Sequence, residues 1–173
     1  MTTVGQLKKA IAQELPNVNY KWQDTDTNIR LAEEVREYVD GMALDNPVIP
    51  TAKHIAEVAI ACRDYFNFRD FLMGLRAEKP SPNVATYLTL VRETLEPQQA
   101  LPFITVLSSY LFEFEQVEEA KAQINLALDI NPEYSLAQLL KRVYNQWSPE
   151  SMVEMAQTLH QSVVDTLYAK ETE

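Results

Sequence analysis

The chain carries glycine at only three of its 173 positions, Gly5, Gly41 and Gly74, and this scarcity limits its fold more than any other feature. Tight β-hairpins and barrel corners place residues at positive φ, where glycine avoids the clash a side chain would make. A many-stranded β fold would have little here to turn on. Helices joined at proline need no such residue, and nine prolines are present. The length suits one domain with its own core, without metal or disulfide staples.

Apolar residues recur at helical spacing along most of the chain. Thr3 and Gln6 form a capping-box pattern ahead of Val4, Leu7, Ile11 and Leu15, and Pro16 ends that helix. Tyr20 and Trp22 can alternate inward in the loop that follows. Asp26 or Thr27 can cap a second helix, with Ile29, Ala32, Val35, Val39 and Met42 as its stripe and Gly41 near its end. "ALDNPVIPTAKH" holds Pro47 and Pro50 and reads as a linker or hinge. It divides an N-terminal helical pair, 1–46, from a helical domain, 47–173. The pair is either an appendage or part of a single globular unit.

Beyond the linker, Thr51 caps a helix whose inner face is Ile55, Val58, Ala59 and Cys62. "RDYFNFRDFLMGL" continues it, or forms two short helices meeting near Asn67. Ser81-Pro82 reads as a cap followed by proline at the first helical position. Pro97 opens the next helix, with Phe103, Leu107, Tyr110 and Leu111, and Val117 to Ile130 returns alongside it. A helix from Ser135 turns Leu136, Leu139, Leu140 and Val143 inward. Ser148-Pro149 starts a last one with Met152, Met155, Ala156, Leu159, Val163 and Leu167 on its buried side. The expected class is all-α, a compact bundle of about eight helices.

Residues 101–134 resemble one tetratricopeptide unit. Ile104, Leu107, Ser108 and Leu111 fall on its first helix, Ala120, Ile124 and Ala127 on its second, and Pro132 closes it. The adjoining periods fail: Asp70 and Glu93 upstream, and Lys141, Arg142 and Asn145 downstream, sit where small or apolar residues belong. Stacked repeats need several units to cover their apolar faces, so the expectation is one hairpin inside a globule and no array. A second likeness covers residues 52–150. "CRDYFNFRDFL" followed by "ALDINPEYSLAQLL" resembles an actinobacterial and phage family of domains of unknown function, with an R-D … R-D element before an A-L-D-x-N-P-x-Y-S-L-A-x-L-L segment. Relatives carry glycine before the A-x-x-A-L helix, whereas this chain has "FEFEQVEEA". The family's longer N-terminal region is expected to be replaced by residues 1–46. The likeness implies no established activity.

Charge narrows the ligands. The net charge is −10, and the densest basic spots are the pairs Lys8-Lys9 and Lys141-Arg142, so no cluster is ready to displace counterions from a phosphate backbone. Direct nucleic-acid binding is not expected. Nor is a membrane, since no apolar run reaches the ~20 residues of a span. Cys62 is the single cysteine, which excludes an internal disulfide. The N-terminus lacks a secretory pattern, giving a cytoplasmic expectation.

The polar candidates read as structural. Arg63-Asp64 and Arg69-Asp70 are expected to form ion pairs at helix ends. On one continuous helix their carboxylates would project about 120° apart, which builds no paired-carboxylate site. His54 and His160 read as surface residues and Cys62 as a small hydrophobe. No phosphate loop, HExxH, CxxC or GxSxG occurs, so no catalytic residue, metal ligand or cofactor is assigned. The leading expectation is a non-enzymatic protein-interaction module acting on another protein, with a homodimer as one form. Tyr65, Phe112 and Phe114 are its candidate contacts. The alternative is an acidic inhibitor that fills a basic site on a nucleic-acid enzyme, using Glu33-Glu34-Glu37-Asp40 and Glu113-Glu115-Glu118-Glu119. In that reading Glu33 and Glu37 are the candidate contacts. An unrecognised enzyme is the third reading, and it needs a pocket joining Arg63, Asp64 or Asp70 to a histidine.

Overall fold

The computed structural model describes residues 3–42 and 48–169, which form nine α-helices and two 3-10 turns, with no strand among them. The helices are α1 Val4–Glu14, α2 Thr25–Gly41, α3 Ala52–Asp64, α4 Phe66–Gly74, α5 Asn83–Glu93, α6 Pro97–Glu113, α7 Val117–Ile130, α8 Ser135–Gln146 and α9 Pro149–Tyr168. The 3-10 turns are Leu15–Asn17 and Leu75–Ala77. Residues 43–47 of the expected hinge lie outside the described residues, as does the boundary drawn there. No helix among the described residues is long and apolar enough to cross a membrane.

Local chemistry sets the helix starts. Thr3 Oγ1 accepts from Gln6 N at 3.1 Å while Gln6 Oε1 accepts from Thr3 N at 2.8 Å, a reciprocal capping box. Thr51 caps α3 and Ser148 caps α9 through hydroxyls that accept from His54 N and Ser151 N, each at 3.1 Å. Two starts differ from expectation. Asp24, not Asp26 or Thr27, caps α2, because its carboxylate accepts from both the backbone and the hydroxyl of Thr27. Pro82 precedes α5 instead of opening it, and Ser81 Oγ accepts from Asn83 N. The aromatic stretch after α3 breaks at Tyr65, two residues before Asn67. Tyr65 takes extended backbone at φ −140° and ψ 106° and its ring stacks on Trp22 at 5.6 Å. The break lets α4 turn Phe68, Phe71 and Leu72 fully inward.

Helix α6 is the axis of the bundle. Every residue from Ala100 to Tyr110 is buried, and α3, α4, α5, α7, α8 and α9 all pack against it. An element apolar on all sides belongs at the centre of a domain. Full burial of each large side chain there, such as Phe103, contributes about 1.5–3 kcal/mol. Ser108 is small enough for α7 to come close, and its hydroxyl donates to the Ala120 carbonyl at 2.7 Å. The same hydroxyl lies 2.8 Å from that of Tyr144, tying α8 to the pair. The hydroxyl of Tyr110 donates to Leu72 O at 2.7 Å and accepts from Arg76 N at 3.1 Å, satisfying the end of α4.

The turn from α6 to α7 is a Schellman motif: Gln116 N donates to Leu111 O and Glu115 N to Phe112 O. Glu115 holds the left-handed position at φ 66°. Lys141, Arg142 and Asn145 on α8 are exposed, so α6–α7 is a hairpin without a following repeat. Buried residues of α1 and α2, among them Leu7, Ile11, Leu31 and Val35, join the same core cluster as the rest. They reach it by packing α1 on α3, and α2 on α3, α5 and α9.

Candidate functional site

Between α4, α8 and α9 runs a groove of about 320 Å³. Its walls are apolar: Leu136, Leu139, Leu140 and Val143 from α8, and Met152, Met155, Leu159 and Val163 from α9. The sequence pattern turned Leu139, Met155 and Leu159 inward. The structure instead leaves them 48%, 40% and 50% exposed, because α8 and α9 each have an apolar stripe wider than the neighbouring helices cover. Methionine adds an adaptable, polarisable surface to such a wall.

Polar groups converge near the groove. Arg69, Asp70, Glu113 and His160 contribute to its lining. Among the described residues, four buried side-chain atoms have no hydrogen-bond partner: Arg69 Nε, Arg76 Nη1, Glu113 Oε2 and His160 Nδ1. Three of the four belong to groove residues. Arg76 stands 3.5 Å from Glu113 as an ion pair and covers the Phe114 ring at 4.1 Å. Burial pushes the Glu113 carboxyl up to about 7, and Arg76 offsets only part of that rise. Burial also raises Asp70, with Arg69 opposing.

Both histidines are buried, which corrects the surface reading. Each meets a carboxylate from another part of the chain. His160 Nε2 meets Glu78 Oε2 at 2.5 Å, and Arg36 donates to both oxygens of the same carboxylate. Burial would raise Glu78, yet Arg36 and His160 outweigh it and hold it below the usual range. His160 Nδ1 is pressed against Gly74, where an added Cβ would stand 2.6 Å away. His54 Nδ1 lies 2.8 Å from Glu34 Oε1, and its Nε2 lies 2.8 Å from the Tyr87 hydroxyl. A carboxylate only accepts, so Nδ1 carries the proton, and Nε2 accepts from Tyr87.

The groove thus brings Asp70 and His160 into one lining, although both nitrogens of that histidine are enclosed. No group of three His, Cys, Asp or Glu side chains among the described residues is placed to hold a metal ion. Cys62 is fully buried, and burial raises its thiol strongly.

The candidate contact residues fare unevenly. Phe112 is 1% exposed and stacks on Tyr144 at 4.3 Å, so it is core and not surface. Phe114 is half-buried beneath Arg76, and Tyr65 is half-buried against Trp22. Glu33 and Glu37 are exposed on α2. Their neighbours are engaged internally, Glu34 with Arg30 and His54, and Asp40 with Lys79. Glu113 is buried and so drops out of the second acidic face. The Arg-Asp elements pair within themselves. Arg63 is bidentate to Asp64 at 2.7 and 3.0 Å, whereas Arg69 reaches Asp70 at 3.4 Å. The break at Tyr65 puts the two elements on different helices.

Fold and groove together define an all-α helical domain with an open apolar channel over a partly satisfied polar floor. The chain belongs to the family described as Domain of unknown function (DUF4192), whose family model matches residues 2–150. The match extends through the N-terminal helices, beyond the stretch whose motifs carried the resemblance, and stops as α9 begins. Neither the curated proteins nor the solved structures include one that matches this chain.

Proposed function

We propose that this protein is a cytoplasmic, non-enzymatic interaction module whose α4–α8–α9 groove docks the apolar face of an amphipathic helix from another protein. The observation carrying this reading is the convergence of Leu139, Met155 and Leu159, all substantially exposed, on one channel. A helix laid in such a channel covers apolar surface in the i, i+3, i+4 manner of known helix-in-groove recognition. The net charge of −10 favours a partner helix with basic flanks and speeds its encounter. Apolar burial then holds the complex after salt has screened the long-range attraction.

A photocrosslinker placed at Leu159 of the intact chain tests this. The expected product is a heterologous protein joined through one face of a helix. It should be retained at high salt and lost in Leu139→Asp and in Met155→Asp. A cross-link to a second copy, matched by a dimer in sedimentation, would replace the partner with self-association. Capture unchanged by both aspartates would sink the groove. The acidic reading rests on Glu33 and Glu37, and its mark would be capture that disappears at high salt and in the Glu33→Lys/Glu37→Lys double variant.

A further inference from the structure

A second hollow, of about 610 Å³, opens between α3, α4, α6 and the α7–α8 connection, within the range of small-molecule sites. Two segments singled out in the sequence meet there: Arg63 and Arg69 from the Arg-Asp elements, and Asn131 and Tyr134 from the "NPEY" turn. In a chain of net charge −10, this lining contains two arginines and no carboxylate among the described residues.

Arg69 is the unusual member. It is the one arginine among the buried residues, 9% exposed, and a guanidinium carries five donors. Its side-chain partners are the neighbouring Asp70, at 3.4 Å, and the Tyr134 hydroxyl, and its Nε is buried with no partner. Three other arginines are better served. Arg63 and Arg36 each hold a carboxylate bidentately, and Arg30 bridges two glutamates. The Arg69 guanidinium lies 4.9 Å over the Phe66 ring, which fixes its plane, and Phe66 is itself among the most exposed large apolar residues. A flat guanidinium whose Nε still lacks an acceptor fits the geometry of carboxylate and phosphate oxygens. Leu101 and Pro102 add an apolar wall beside it, and Gln98 and Gln99 a neutral polar one.

We infer that this cleft binds a small organic oxyanion, a carboxylate or phosphate joined to an apolar body, with Arg69 gripping the oxygens and Phe66 and Leu101 contacting the body. The cleft shares Arg69 with the groove proposed for docking, but Phe66 and Leu101 line the cleft and not the groove, so the inference can stand or fall without that reading.

The test is a titration of the intact protein with phenyl phosphate, benzoate and neutral benzyl alcohol, followed by the Nε–H resonance of Arg69 and by thermal shift. Saturable movement of that resonance with either anion, and none with the alcohol, is expected. Response to phenyl phosphate alone assigns phosphate as the head group, and response to benzoate alone assigns carboxylate. Arg69→Lys keeps the charge without the fork and should weaken binding roughly tenfold or more. Phe66→Ala changes an exposed residue, leaves the fold intact, and should also weaken it. If Arg69→Lys fails to fold, the wild-type resonance and Phe66→Ala decide. No saturable shift with either anion, equal response to the alcohol, or unchanged affinity in Phe66→Ala and Arg69→Lys would overturn the inference.

Discussion

The Tyr87 hydroxyl donates to His54 Nε2 across 2.8 Å, beneath a histidine whose other nitrogen is committed to Glu34. Residues from α2, α3 and α5 are thereby joined by one directional chain of hydrogen bonds. Tyr87→Phe removes the one donor to Nε2 among the described residues and leaves that nitrogen buried. The expected loss is about 1–3 kcal/mol in urea unfolding. His54→Gln should cost less when combined with Tyr87→Phe than the two changes summed.

Stability should fall on the acid side through His54. Burial lowers its pKa below 6.5, while Glu34 and Glu57 oppose that fall and Arg30 adds to it. The unfolded chain then binds more protons than the folded one below about pH 6.5. The stability this group contributes is present above that point and lost as pH drops through the folded pKa. Glu113 acts with the opposite sign. Its carboxyl rises from 4.5 to about 7, so its contribution is whole below about pH 4.5 and lost as pH climbs through about 7. Melting temperature measured across this range should show a steeper acid limb in Glu113→Gln and a flatter one in His54→Gln. A Glu113→Gln profile parallel to wild type would count against the buried carboxyl.

Gly74 exists as glycine because His160 occupies the space of its missing Cβ, 2.6 Å away. The histidine cannot withdraw freely while Glu78 holds its other nitrogen. Gly74→Ala should therefore destabilise by about 1–3 kcal/mol through overpacking. Adding His160→Ala should return much of that loss, and strict additivity of the two would show that the crowding lies elsewhere.

Glu115 makes the left-handed turn at φ 66° that glycine makes more easily. A side chain there costs about 1–2 kcal/mol, and glycine gives back about 0.5–1 kcal/mol through the freedom it adds to the unfolded chain. Glu115→Gly should gain roughly 0.5–1 kcal/mol, read as a higher urea midpoint at unchanged slope.

The resemblance already indicated this turn, since it places glycine before the A-x-x-A-L helix where the chain has "FEFEQVEEA". Capping residues and proline starts were legible for a similar reason: Thr3, Thr51, Pro97 and Ser148 act within one turn of themselves. The centrality of α6 was not, because a helix apolar all round has composition but no direction. Periodicity identified Leu139 and Leu159 as apolar-face residues without revealing whether a neighbour covers that face. The buried histidines were hidden by distance. Glu34 lies 20 positions from His54, and Glu78 lies 82 from His160. Phe112 was misplaced because it adjoins Leu111 in a helix enclosed on nearly every side.

That enclosure governs how the chain can vary through inheritance. Every residue of α6 from Ala100 to Tyr110 is buried, and six other helices rest on it. A change of volume at one of these positions survives only if a contacting helix changes to match, so α6 should drift in linked pairs with its surroundings. The outward turns of α9, with Gln157, Thr158 and Gln161 in solvent, carry no such constraint from the core. Relatives compared position by position should therefore show covariation concentrated around α6 and independent change along the outer surface of α9.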